Sequence, residues 1–100
     1  MHRRKKLEIV VESALTERVV DLIDRHKAPG YTVTEALSGR GQRGRWQRDQ
    51  ISNAFHRNVV TVVATDVICQ AIIADLREVI DDYTAVLFLS DVDVLRADHF

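Results

Sequence analysis

Twice within 100 residues the chain runs through the same order: an alternating apolar run, a helical stripe, then a second extended run. Lys6 to Glu12 alternates, with Leu7, Ile9 and Val11 on one face and Glu8 and Glu12 on the other, which predicts a strand. Ser13 stands where a helix cap belongs, and Leu15, Val19, Leu22, Ile23 and His26 follow at helical spacing. Lys27 suits the negative end of that helix, Pro29-Gly30 stops it, and Tyr31 to Leu37 alternates as a second strand. The second half repeats the order. A β-branched strand covers Asn58 to Thr65, and Asp66 is the expected cap. Cys69, Ile72, Ile73, Leu76, Val79 and Ile80 form a helical stripe, and Tyr83 to Val94 a final strand. Two such units in so short a chain predict one domain over residues 1–100. Its fold is an α+β, ferredoxin-like βαββαβ sandwich: one antiparallel sheet with both helices on one face.

Two helices cover only one side of such a sheet. Val59, Val60, Val62 and Val63 nevertheless put apolar side chains on both faces, and Ala85 to Leu89 is apolar throughout. Strands with that pattern are buried on both sides. The second face therefore needs a cover, most simply other copies of the chain, and a homo-oligomer is expected.

The net charge of −1 sets the whole chain apart from polyelectrolyte binders. Its positive charge is local. The run His2-Arg3-Arg4-Lys5-Lys6 reads as a solvated end that keeps the first strand soluble, with a nucleic-acid or membrane arm as the alternative. Asp81, Asp82, Asp91, Asp93 and Asp98 read as solvated charges near strand ends. Cys69 is the single cysteine, which leaves no internal disulfide and places a small thiol on a core stripe. His2, His26, His56 and His99 share no metal-ligand spacing, so no metal site is expected. Neither Ser52 nor Cys69 has an activating base nearby in sequence, and no catalytic residue is assigned. The longest apolar runs fall far short of a membrane span, and a reducing cytoplasm is the expected setting.

A second cluster of positive charge lies between the two halves. From Gly30 to Arg57 an alternating strand gives way to a stretch in which Gly39, Gly41 and Gly44 sit among Arg40, Arg43, Arg45 and Arg48. Asp49 is the only acid there after Glu35. Glycines let backbone N–H groups turn toward a ligand, and guanidinium groups pair with phosphate or carboxylate oxygens. An anion is expected. Trp46 and Phe55 also suit base stacking, which keeps open a ferredoxin-like module that binds RNA or single strands through the arginine-glycine loop. The strands lack the aromatics such sheets use, and a small enzyme of the same fold is a further alternative.

Four segments, GYTVTEAL (30–37), GRGQRG (39–44), VVATDVI (62–68) and SDVDVLR (90–96), resemble in order those of the PII-like signal-transduction proteins. The resemblance runs from about Lys6 to Phe100. It implies a trimer that binds adenine nucleotides between subunits and signals through a long T-loop, here residues 39–57, between the second and third strands. Carried onto matching positions, Gly30 and Thr32 would lie by the adenine, and Ala64 and Thr65 would line the cleft. Gly39, Arg40, Gly41, Gln42 and Arg43 would form the loop base, with both arginines facing phosphates, and Arg96 would add a second phosphate contact.

The departures narrow the branch. No tyrosine for uridylylation lies between Gly39 and Arg57, and no glycine-rich loop precedes the last strand, where Ile80-Asp81-Asp82 runs into Tyr83-Thr84-Ala85. Loss of those backbone donors disfavours ATP and points to ADP or AMP. The YTV strand, the loop base and the ending VLRADHF resemble the inorganic-carbon branch, the SbtB type and the carboxysome-associated proteins. Because no cysteine pair follows, the carboxysome-associated type is the nearer. This implies bicarbonate as co-ligand, with Gln42, Arg43 and Arg45 as its candidate contacts, and a bicarbonate transporter or carboxysome-associated protein as partner. It implies no covalent cofactor and no nucleic acid.

Overall fold

The first strand, β1, runs His2–Glu12, four residues further toward the N-terminus than its apolar alternation. The computed structural model describes residues 1–41, 44–47, 56–80 and 85–100. After β1 and a 3-10 turn over Ser13–Leu15 come α1 (Thr16–Arg25), β2 (Thr32–Ala36), β3 (Ser38–Gly41) and β4 (Gly44–Gln47). Then follow β5 (Arg57–Ala64), α2 (Asp66–Val79), β6 (Ala85–Val94) and a closing 3-10 turn over Ala97–His99. One four-stranded sheet has the order β2-β5-β1-β6, antiparallel throughout. The ferredoxin-like fold is the one expected.

Register explains the two faces. Leu7 lies opposite Val62 and Leu89, and Ile9 opposite Val60 and Leu87, so these six share one face. Val19, Leu22 and Ile23 of α1 and Cys69, Ile72 and Leu76 of α2 close over that face as the core. Each such side chain gains about 1.5–3 kcal/mol by leaving water. The helices are also tied directly, His26 Nε2 lying 2.5 Å from Asp75 Oδ2. On the opposite face Val10 pairs with Val59 and Val86, and Glu8 with Thr61 and Phe88. Val86 is 59% exposed and Phe88 48%, the unburied apolar residues that the two-sided pattern foretold.

Several local expectations are corrected. Ser13 does not cap α1: it opens the 3-10 turn and donates its backbone N–H to the His56 carbonyl at 2.9 Å. The helix stops at Arg25, before Pro29-Gly30, because Lys27 takes the left-handed turn (φ 58°) that glycine usually supplies. Thr65, not Asp66, caps α2, its hydroxyl accepting the Ile68 N–H at 3.4 Å, and β5 accordingly ends one residue earlier at Ala64. Of the final strand, Tyr83 and Thr84 lie outside the described residues, as do Asp81 and Asp82.

The basic run is strand as well as a solvated end, and Asp91 and Asp93, exposed near the end of β6, are its ion-pair partners. Arg3 and Lys5 keep the parity of Leu7 and lie in register with Asp93 and Asp91. Arg3 Nε donates to Asp93 at 3.0 Å and Lys5 Nζ to Asp91 at 2.5 Å, while Arg4 Nε donates to the Phe100 carbonyl at 2.9 Å. The hydrogen bond from Lys5 holds the Asp91 carboxyl below its ordinary value and raises Lys5 in turn.

The sign follows from linkage. The depressed Asp91 favours the fold above its unfolded value of about 3.9, and that contribution vanishes as pH falls through the folded value. The raised Lys5 favours the fold below its unfolded value of about 10.4 and stops doing so in still stronger base. At low ionic strength Asp91→Asn should therefore melt below the wild type at neutral pH, with the gap closing by about pH 2. Thermal melts from pH 2 to 8 test this, and a gap that persists at pH 2 refutes it.

Candidate functional site

The residues singled out for binding fall into two groups. Thr32 opens β2 opposite Thr61, Ala64 ends β5 opposite Lys5, and Thr65 follows it as the cap of α2. Arg96 comes just past β6 and is exposed, its carbonyl accepting the His99 N–H at 3.3 Å. Gly30 precedes β2, and a Cβ built there meets nothing within 4 Å, so the chain's own packing does not demand glycine. These residues gather toward one end of the sheet. The Thr65 hydroxyl accepts from Ile68, which leaves its O–H free to donate.

The second group leaves the opposite end, where Ala36 pairs with Arg57. There the chain forms a hairpin rather than an open glycine loop. Ser38 faces Gln47, Gly39 faces Trp46, Arg40 faces Arg45 and Gly41 faces Gly44. Gly44 has φ 101°, a left-handed value that requires glycine in so tight a turn. Ribbon pairing spends the inward backbone groups on each other, so an anion has fewer N–H donors than the composition offers. Gln42, Arg43, Arg48, Ser52 and Phe55 lie outside the described residues. Strand β5 separates the roots of the two groups by its own length, about 23 Å. Among the described residues, the roots of the two groups stand at opposite ends of β5.

Sequence reasoning missed the ladder of Arg3, Lys5, Asp91 and Asp93 beside the first group. Parity held the signal, since Arg3 and Lys5 continue the Leu7 row and Asp91 and Asp93 the Leu89 row. At the loop's far root His56 Nε2 is buried with no hydrogen-bond partner among the described residues. Cys69 is buried with Sγ 3.9 Å from the Lys5 carbonyl, and burial pushes its thiol up, away from the reactive thiolate. Among the described residues no three His, Cys, Asp or Glu side chains cluster to hold a metal, and no helix is long and apolar enough to cross a membrane.

Comparison with known proteins bears on the arrangement. The family described as nitrogen regulatory protein P-II matches residues 4–99. No curated protein matches significantly. The solved structure of CPII, a nitrogen regulatory PII-like protein from Thiomonas intermedia K12 bound to ADP, AMP and bicarbonate, has a TM-score of 0.88 at 26% identity, over 99% of this chain and 94% of that one. The same protein bound to ADP, AMP and acetate gives 0.81 at 25% identity, over 99% and 95%. The GlnK–ATP complex of B. subtilis, at 14% identity, TM-score 0.64 and coverage of 92% and 84%, shares the fold alone.

Proposed function

The chain belongs to the nitrogen regulatory protein P-II family, whose members regulate rather than catalyse, and from that membership we propose a non-enzymatic sensor of adenine nucleotides. ADP or AMP binds between the subunits of a cytoplasmic homotrimer, with bicarbonate as co-ligand. The segment 39–57 is the arm through which a bicarbonate transporter or carboxysome-associated protein is controlled.

The observation that carries this reading is the division of the candidate site. The roots of two groups of candidate anion- and base-contacting residues lie about a strand's length apart, and a neighbouring copy can supply each with the other. Gly30, Thr32, Ala64, Thr65 and Arg96 of one subunit then meet Gly39, Arg40, Gly41, Gln42 and Arg43 of the next. Thr65 donates to an acceptor nitrogen of adenine, while Arg96 and Arg40 fork onto phosphate oxygens. Bicarbonate, a planar anion like the acetate that the Thiomonas protein also accepts, is held by Gln42, Arg43 and Arg45. Binding shifts the arm between two states by its differential affinity for them, and no chemistry is required. The RNA-binding alternative gains nothing from the sheet, because Phe88 is the one aromatic on its uncovered face among the described residues.

Calorimetry with ADP, AMP, ATP and cyclic AMP, each with and without bicarbonate, tests the reading. ADP or AMP should bind at micromolar levels, at least tenfold more tightly than ATP. Arg96→Ala should weaken ADP by about ten- to a hundredfold, the worth of a charge-assisted hydrogen bond. Failure of every adenylate to bind below millimolar concentration rules the reading out.

A further inference from the structure

The strands of the main sheet neutralise their cations internally. Arg3 has Asp93, Lys5 has Asp91, Lys6 has Glu8 at 3.2 Å, and Arg57 has Glu12 at 3.5 Å. Arg4 rests on a carbonyl oxygen. The hairpin does the reverse. Its register sets Arg40 directly opposite Arg45, both are exposed, and neither has an ion-pair or hydrogen-bond partner among the described residues. Opposed like charges on a two-stranded ribbon, with side chains roughly 5 Å apart at their base, weaken it. A chain with 15 acids places only Glu35 and Asp49 between Gly30 and Arg57. Among the described residues the pair is thus left without an internal counter-charge.

We propose that the Arg40–Arg45 pair is a clip for an acidic segment of a protein partner, two neighbouring carboxylates of which fit the paired guanidinium forks. This rests on the reading of segment 39–57 as the arm that meets a partner. Two facts select a protein over a free anion. With no nucleotide in the cleft, the exposed ribbon gives a small anion no low-dielectric wall, and exposed ion pairs in water are worth little. A protein surface brings its own wall, and charge-assisted bidentate forks strengthen once water is excluded. Filling the clip also removes the repulsion across the ribbon, so hairpin formation and partner binding support each other.

The chain's single tryptophan, Trp46, lies on β4 and serves as the reporter. A synthetic peptide of ten glutamates should change Trp46 fluorescence saturably, with at least a tenfold loss of affinity between 50 and 200 mM salt, as expected of several charge contacts. With no nucleotide present, a decalysine peptide, bicarbonate and phosphate at the same charge concentration should not reproduce the change. Arg45→Glu gives the ribbon the internal counter-charge that the main strands have, so it should abolish the response while circular dichroism shows an unchanged fold. A response to bicarbonate or phosphate alone, or an undiminished response in Arg45→Glu, overturns the proposal. Wild-type protein that binds ADP but ignores the glutamate peptide overturns it too and leaves the nucleotide reading intact. A peptide response in protein that binds no adenylate upholds the clip and removes the sensor.

Discussion

Replacing Ile9 with alanine is expected to cost about 2–5 kcal/mol, a large share of the roughly 5–15 kcal/mol that holds a domain of this kind together. Ile9 is fully buried at the centre of the sheet, in register with Val60 on one side and Leu87 on the other. Both neighbouring strands are fixed by long antiparallel ladders, so they cannot move inward to fill the space left by the lost methyl groups. The cavity term therefore stays near the upper part of its range. Thermal melts should fall by about 10 °C or more, given about 4–8 °C per kcal/mol for a chain of this length. Arg18→Ala on the exposed side of α1 is the control and should stay within about 0.5 kcal/mol of wild type. A loss below about 1 kcal/mol at Ile9 would mean that the helices do not close over this face.

The second large effect concerns assembly. Phe88 stands on the uncovered face beside Val86, opposite Glu8 of β1. If three copies bury this face against one another, each loses about 2 kcal/mol when Phe88→Glu is introduced. Three equivalent contacts compound that to about 6 kcal/mol, on the order of a ten-thousandfold drop in trimer stability. New carboxylates facing one another near the axis weaken it further. Light scattering should show the wild type at three times the mass of the variant. Because the proposed cleft needs both subunits, ADP binding should disappear with the trimer. Monomeric wild-type protein, or a monomeric variant with wild-type ADP affinity, contradicts the shared-cleft arrangement.

The order of elements was legible because each carries a strong period. Leu7, Ile9 and Val11 alternate without interruption, and Cys69, Ile72 and Leu76 hold their stripe across α2. Boundaries were less legible. A cap is decided by which hydroxyl reaches a free N–H, so Thr65 and Asp66 look alike in sequence, yet only Thr65 accepts from Ile68. Lys27 in a left-handed turn broke the rule that such a turn wants glycine. The ion ladder was hidden because its partners lie in the first and last strands, and each half alone resembles a solvated charge run. The candidate binding residues could be named by type from sequence, but the separation of their roots along β5 needed the register. The hairpin was hidden by composition: glycine and arginine suggest a loose loop, whereas register pairs Gly41 with Gly44 on a two-stranded ribbon.

The ladder joining β1 to β6 has a consequence for how the chain comes to be folded. Its pairs bridge residues 86 and 90 positions apart, and Arg4 reaches Phe100 across 96. Central strand β1 is made before the other strands of its sheet, yet its second edge stays open until β6 exists. Loops that long close slowly and reward nothing until closed. A nascent chain stopped anywhere before β6 therefore carries an unpaired apolar strand, and a ribosome-bound or truncated product should need shielding that the finished chain does not.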